Sequence, residues 1–233
     1  MFQSAERAVV LTGSGVSAES GVPTFREAQT GLWARFDPQE LATPEAFARD
    51  PRLVWEWYEW RRNLVAGSTP NPGHLAIVEM ESFFSDFTLI TQNVDGLHGR
   101  AGSHAVIELH GNILRTKCSV EGAAVEDYDE GEGPPLCPSC GAPLRPDVVW
   151  FGEMLPYDAL EAASEAARAS DLFLSVGTSS LVYPAAALPF EALENGATLV
   201  EINPDRTPLT LHADYALNGQ AGEVLPELFQ ALS

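Results

Sequence analysis

The chain has 233 residues, 45% of them hydrophobic, enough to bury a full core as one larger domain with a smaller one attached. Lysine and arginine number 13 against 33 aspartates and glutamates, a net charge of −20; such a surface repels phosphate backbones, so no nucleic-acid partner is expected. No run approaches a membrane span, residues 1–7 lack the apolar core of a secretory leader, and 3 cysteines are too few for a disulfide framework, so the expected setting is a reducing cytoplasm with no membrane partner.

In chain order, Ala8-Val9-Val10-Leu11 reads as a buried strand. It runs into Gly13-Ser14-Gly15-Val16-Ser17-Ala18, where the glycines permit a tight turn and close approach of backbone to a phosphate. A helix starting near Val16 would aim its free N–H groups and positive dipole end at the anion. Gly13-x-Gly15-x-x-Ala18 also fits the dinucleotide pattern with alanine in third place. Similar turns occur in many α/β proteins without a nucleotide, so the turn decides little by itself. A simple βαβ unit reaches its second strand within roughly 30 residues. Here the next good strand is at 87–91, and no strand-ending acid stands where a ribose hydroxyl partner would sit.

Further strands are expected at 106–109, 172–176 and 198–202, and helices at 72–82, 157–169, 184–195 and 224–232. This alternation predicts an α/β fold with a doubly wound parallel sheet. Two insertions interrupt it. One, at about 27–67, reads as helical; the other, at about 113–145, holds cysteines, glycines, prolines and acids with little periodicity, and its 126–135 stretch is expected to be disordered. No internal repeat stands out. No heptad pattern or long exposed apolar stripe demands an assembly, so a monomer is expected.

Three segments belong together: Gly13 to Arg26 (GSGVSAESGVPTFR), Thr91 to His98 (TQNVDGLH), and Glu108-Leu109-His110-Gly111-Asn112. The first suits a dinucleotide pyrophosphate; the other two supply polar groups and a base for chemistry at a ribose. Over almost the whole chain the sequence resembles the sirtuins, NAD-dependent protein lysine deacylases. The resemblance implies a Rossmann-like NAD-binding domain of residues 1–26, 68–112 and 146–233. It implies a smaller domain built from the helical insertion 27–67 and a zinc-ribbon-like insertion 113–145, with substrate and NAD in the cleft between domains.

By that resemblance, Gly13, Ser14, Gly15, Ser17 and Ala18 belong to the phosphate loop, Phe25 shields the ribose face, and Arg26 lies in the same cofactor loop. Gln92, Asn93 and Asp95 belong to the nicotinamide-pocket segment. Gly177, Thr178, Ser179, Asn203 and Ala221 match later NAD contacts. The implied reaction is attack of the acyl-lysine amide oxygen on the nicotinamide ribose, with Asn93 shaping the pocket and His110 as general base on the ribose hydroxyls. The products are free lysine, nicotinamide and 2′-O-acyl-ADP-ribose. A histidine suits the base role because its ordinary pKa lies near neutrality. His98 falls inside its motif but reads as structural.

The segment Val54 to Arg62 reads as a helix with Tyr58 and Arg61 three apart on one face. It resembles the tyrosine–x–x–arginine signature of sirtuins that remove succinyl and malonyl groups. Arg61 could fork two hydrogen bonds to an acyl carboxylate, with Tyr58 adding a hydroxyl donor. Arg62 should point elsewhere, and a surface pairing of Arg61 with Glu59 or a neighbour, with Tyr58 merely packing, is the competing expectation. Val149, Phe151, Gly152 and Glu153 are implied to border the acyl-lysine channel, Phe151 to Glu153 by backbone pairing with the substrate peptide; a core strand is the alternative. Cys137-x-x-Cys140 is a zinc half-site, and upstream only Cys118 matches, with Glu121 where many sirtuins place a second cysteine. Glu121, a histidine or water could complete a structural zinc site. The expected partner is an acylated lysine in a protein substrate; ADP-ribosyl transfer and a non-enzymatic NAD-responsive module are the rival functions.

Overall fold

The computed structural model describes residues 5–24, 36–129, 131 and 133–231. Its elements run β1 (Arg7–Thr12), α1 (Ser14–Ala18), α2 (Pro38–Leu41), α3 (Pro44–Arg49), α4 (Pro51–Gly67), α5 (Pro72–Phe83), β2 (Asp86–Thr91), α6 (Leu97–Ala101) and β3 (Val106–Glu108). They continue with β4 (Gly111–Cys118), β5 (Leu144–Val148), α7 (Tyr157–Ala169), β6 (Leu172–Val176), α8 (Leu188–Glu194), β7 (Thr198–Asn203), β8 (Tyr215–Asn218) and α9 (Ala221–Gln230). Helices α2, α3, α4 and α5 start alike: Asp37, Thr43, Asp50 and Asn71 each cap with a side-chain oxygen, and proline follows in the first turn. Proline costs nothing there, because the N–H it lacks would have no helical partner.

Six strands form one parallel sheet in the order β3-β2-β1-β6-β7-β8. The order reverses between β1 and β6, and open α/β sheets bind ligands at the carboxyl ends of the strands beside such a reversal. Side chains alternate across β1: Ala8 and Val10 pack with Ile77 and Met80 of α5 and Leu225 of α9, whereas Val9 and Leu11 pack with Ala163 and Ala167 of α7 and Ala192 of α8. The sheet is thus buried on both faces, which explains the unbroken apolar run of β1.

Strand β8 has no counterpart in the expected set; it is a short, mostly exposed edge strand. The expected helix at 184–195 is a 3-10 turn at Ala185–Ala187 leading into α8. The cysteine insertion is more ordered than its composition suggests. Strands β4 and β5 pair antiparallel, with a register shift between Asn112 and Thr116 that accommodates Pro146. Within the stretch expected to be disordered, Tyr128 sets its ring edge-on to Trp55 at 6.4 Å, and the Pro135 carbonyl accepts from Leu144 N–H. The insertion also contains a short structural repeat, two like turns beginning at Cys118 and Cys137.

A third core joins the helical insertion to the rest: Leu41, Phe47, Val54, Trp57 and Tyr58 pack with Val22, Leu97, Ile113, Val148 and Trp150. Among the described residues no helix is long and apolar enough to cross a membrane.

Candidate active site

The carboxyl ends of β1 and β6 are clamped together. Gly13 N–H donates to the Val176 carbonyl at 3.0 Å and Gly15 N–H to the Gly177 carbonyl at 2.8 Å. A Cβ on Gly13 would stand 2.8 Å from Thr178 Cα, and one on Gly15 2.8 Å from Gly177 Cα. Gly177 has a φ of +61°, and its own Cβ would meet Val16 N at 2.6 Å. The glycines therefore allow backbone-to-backbone packing between the two turns, in addition to any approach of a phosphate. Helix α1 begins at Ser14 rather than Val16 and has only 5 residues, so its dipole contributes less than a full helix would.

Asn93 is buried behind this clamp. Its amide donates to the Gly13 carbonyl at 3.0 Å and to Ser17 Oγ at 3.1 Å, and its backbone N–H donates to Thr91 Oγ1. With the amide nitrogen's donors engaged, Oδ1 is left as the side chain's acceptor. Ser17 in turn hydrogen-bonds Asp95, whose carboxylate also accepts from Leu97 N–H at 2.9 Å. Burial raises the Asp95 pKa, while those two hydrogen bonds, Leu97 first, pull the other way.

His110 follows β3 and sits half-buried at the turn into β4. Its Nδ1 lies 3.0 Å from the Gln92 carbonyl. A carbonyl only accepts, so Nδ1 carries the proton and Nε2 presents a lone pair. Burial lowers the His110 pKa against the opposing pull of that carbonyl, which favours the neutral ring. The Gln92 side chain donates to Thr178 Oγ1 at 2.9 Å, so one residue orients the histidine through its backbone and holds the β6 turn through its amide. Asn203 Nδ2 donates to the Thr178 carbonyl at 2.8 Å, which gives Asn203 a structural task beside any ligand contact. Ser179 lies in the same turn, and Ala221 is the buried first residue of α9, packed over Gly73. Phe25 and Arg26 lie outside the described residues.

Tyr58 and Arg61 lie on α4. The Tyr58 oxygen accepts from Trp150 Nε1 at 2.9 Å, which orients the hydroxyl and leaves its proton to donate. Burial pushes the Tyr58 pKa up to about 12, so the proton stays on. Arg61 stacks over the Trp57 ring, 5.2 Å to its centroid; burial lowers its pKa, and Tyr58 and Asp95 partly restore it. Glu59 pairs with Arg62 at 2.8 Å rather than with Arg61. Arg62 points away, as expected, and pins α4 to β4 through the Ile113 and Arg115 carbonyls.

The Val149–Glu153 segment is largely engaged within the fold. Val149 N–H donates to the His110 carbonyl, Phe151 N–H to the Ala42 carbonyl, and Glu153 N–H to the Trp150 carbonyl. These backbone donors cannot also pair with a peptide, which narrows the expected strand addition to the exposed Gly152 and the outward carbonyls. The Glu153 side chain is a structural anchor. It takes both terminal nitrogens of buried Arg145, at 2.6 and 2.9 Å, and the Trp150 N–H. Arg145 stacks on Trp150 with 3.2 Å to the ring centroid and was not singled out from sequence, where a lone arginine carries no signal. His98 proves structural: its Nε2 meets Thr12 Oγ1 at 2.9 Å inside the core, beside the ring of His74.

Cys118, Cys137, Cys140 and Glu121 gather their ligand atoms within 4.8 Å of one another, away from His110 in the second insertion. Three thiols in such a cluster suit zinc by their softness.

The Sir2 family model matches residues 13–184. The chain is 55% identical over 226 residues to an NAD-dependent protein deacylase of Aquifex aeolicus, covering 96% of this chain and 94% of that protein. Among solved structures it resembles a Sir2 homologue in complex with NAD, at a TM-score of 0.92 and 49% identity, covering 99% of this chain and 90% of the other. A Sir2 homologue triple mutant with 2′-O-acetyl ADP ribose matches at a TM-score of 0.92 and 49% identity, covering 100% and 94%. A parallel sheet reversed at β1 and β6, with a base and a buried amide at its carboxyl edge, defines a nucleotide-site α/β protein. The chain belongs to the Sir2, or sirtuin, family.

Proposed function

We propose that this chain is an NAD-dependent protein-lysine deacylase that prefers acidic acyl groups. The observation that carries the reading is His110, its Nδ1 held by the carbonyl of the same Gln92 that precedes the buried Asn93. Support comes from the deacylase name of the Aquifex aeolicus relative and from the NAD and 2′-O-acetyl ADP ribose complexes of similar structures. Gly13 to Ala18, Gln92, Gly177 to Ser179, Asn203 and Ala221 would hold NAD along the strand ends, with Phe25 and Arg26 as further contacts. NAD supplies a ribose carbon activated by a departing nicotinamide, and that ribose accepts the acyl group. Asn93 and Asp95, tied through Ser17, would orient the nicotinamide end, and burial of this group excludes competing water. His110 Nε2 would take the proton from a ribose hydroxyl.

For the acyl group, Arg61 would fork a carboxylate and Tyr58 would donate its remaining proton. Trp57 and Trp150 hold the two in place. In this reading, residues 1–26, 68–112 and 146–233 form the larger domain and 27–67 and 113–145 the smaller, joined by the core around Tyr58 and Trp150. We take the working unit as a monomer in the cytoplasm that acts on acylated lysines of proteins, and the net charge of −20 argues against a nucleic-acid partner.

The test compares NAD-dependent nicotinamide release on one peptide carrying acetyl-, succinyl- or malonyl-lysine, for the wild type and Arg61→Met. The wild type should favour the two acidic groups. The variant should lose roughly 10–100-fold on them, the worth of a charged hydrogen-bond pair, with little change on acetyl. Equal losses on all three would make Arg61 structural. A protein gaining ADP-ribose mass, with no lysine losing acyl mass, would favour the transferase.

A further inference from the structure

The two turns of the cysteine insertion are built to one plan. In the first, Cys118 N–H donates to the Ala123 carbonyl at 2.9 Å and Gly122 N–H to the Cys118 carbonyl at 3.0 Å. In the second, Cys137 N–H donates to the Ala142 carbonyl at 2.7 Å and Gly141 N–H to the Cys137 carbonyl at 2.8 Å. Gly122 has a φ of +69° and Gly141 of +75°. The residue before each turn bridges antiparallel to the residue beyond it, Lys117 to Ala124 and Leu136 to Pro143. Every bond falls at the same offset from its cysteine. The sequences follow suit: Cys118-Ser119-Val120-Glu121-Gly122-Ala123 against Cys137-Pro138-Ser139-Cys140-Gly141-Ala142. By this repeat Glu121 occupies the position of Cys140.

The donor atoms are gathered near the spacing of a tetrahedral site, all within 4.8 Å of one another. Cys118 Sγ and Cys140 Sγ are 3.5 Å apart, and Cys137 Sγ lies 3.9 Å from Glu121 Oε2. A tetrahedron with zinc bonds of about 2.0–2.3 Å has edges of about 3.3–3.8 Å. Among the described residues no histidine or other acid belongs to the cluster. Zinc at this insertion is what the family leads one to expect; the fourth ligand is not.

We propose that the chain binds one structural zinc ion through Cys118, Cys137, Cys140 and the carboxylate of Glu121. The carboxylate is a harder donor than thiolate and binds zinc with less covalency. It makes the Cys118 turn the weaker arm of the site, the arm through which the ion exchanges. It also removes one oxidisable sulfur, because a carboxylate does not climb the thiol oxidation ladder.

The experiment uses the full chain with zinc measured by elemental analysis, together with Glu121→Ala and Glu121→Cys. The wild type should carry one zinc per chain. Glu121→Ala should surrender zinc to a chelator at concentrations about tenfold or more lower. Glu121→Cys should hold zinc more tightly than wild type. With cobalt(II) in place of zinc, the thiolate charge-transfer absorption of Glu121→Cys should exceed that of the wild type by about one third, in proportion to four sulfurs against three. An unchanged cobalt spectrum in Glu121→Cys, with circular dichroism intact, would place residue 121 outside the coordination sphere and overturn the assignment. So would wild-type zinc retention in Glu121→Ala, which would leave water as the fourth ligand, or a wild type that takes up no zinc.

Discussion

At the scale of the residue, one hydrogen bond sets the chemistry of the site. The Gln92 carbonyl fixes the His110 proton on Nδ1, and burial lowers the ring's pKa. As the proposed base, His110 would therefore stay competent below the ordinary histidine range near 6.5. The acid limb of the kcat/KM profile should fall with an apparent pKa below that value. His110→Ala should lose about 10²–10⁴ in turnover and the acid limb with it, while NAD binding persists by calorimetry. An acid limb unchanged in the variant would assign the base elsewhere. The histidine itself was legible from Glu108-Leu109-His110-Gly111-Asn112, but its tautomer was not. Its partner is a backbone atom 18 residues away in sequence, and no side-chain pattern encodes a carbonyl's direction. Tyr58 shows the same division: helical spacing placed it beside Arg61, whereas its Trp150 partner lies 92 residues further on.

At the scale of the element, the β4–β5 pair decides where His110 sits. Gly111 opens β4 with a φ of +78°, and a Cβ there would collide with the Asp147 carbonyl oxygen of β5. Gly111→Ala should destabilise the protein by at least about 2 kcal/mol and lower kcat, because the histidine rides on the same turn. Urea midpoints and steady-state rates measured together would show both. A variant of full stability and rate would mean that β5 yields at little cost. Strand β5 was hidden in the sequence because Leu144-Arg145-Pro146-Asp147-Val148 has neither alternation nor β-formers at its centre. It becomes a strand because Glu153 and Trp150 give the buried Arg145 an ion pair and an aromatic face. By contrast, β1, β2, β6 and β7 were legible because burial on both faces makes each mostly apolar, with polar breaks at Thr88, Ser175 and Glu201. The exposed edge strand β8 writes none.

At the scale of the whole molecule, two buried histidines tie stability to pH. Burial pushes His74 down to about 4 and His98 down to about 3, the latter with a further push from His74. In the unfolded chain both would take protons near pH 6.5. Between about pH 6.5 and 4 the unfolded state binds more protons, so stability falls as the solution is acidified. Below their folded values both states are protonated and the loss ceases. The slope should approach roughly 1.4 kcal/mol per pH unit for each histidine. Urea titrations from pH 7 to 4 would check it, and His74→Gln should flatten the slope by about half. A slope unaffected by the substitution would trace acid sensitivity to the carboxylates instead.

The clamp between the β1 and β6 turns also bears on how the protein is made. Arg7, at the start of β1, bonds a residue 164 positions away at the start of β6. At roughly 5–20 residues per second, a ribosome needs about 10–30 s to deliver the second half of that pair after the first. During that interval Gly13 and Gly15 have no backbone to lie against, and Asn93 has no fixed carbonyl to hold. The three sequence motifs that announce the site are all synthesised before it can exist. The late and chemically plain Gly177 closes the clamp, with Asn203 and Ala221 still to follow.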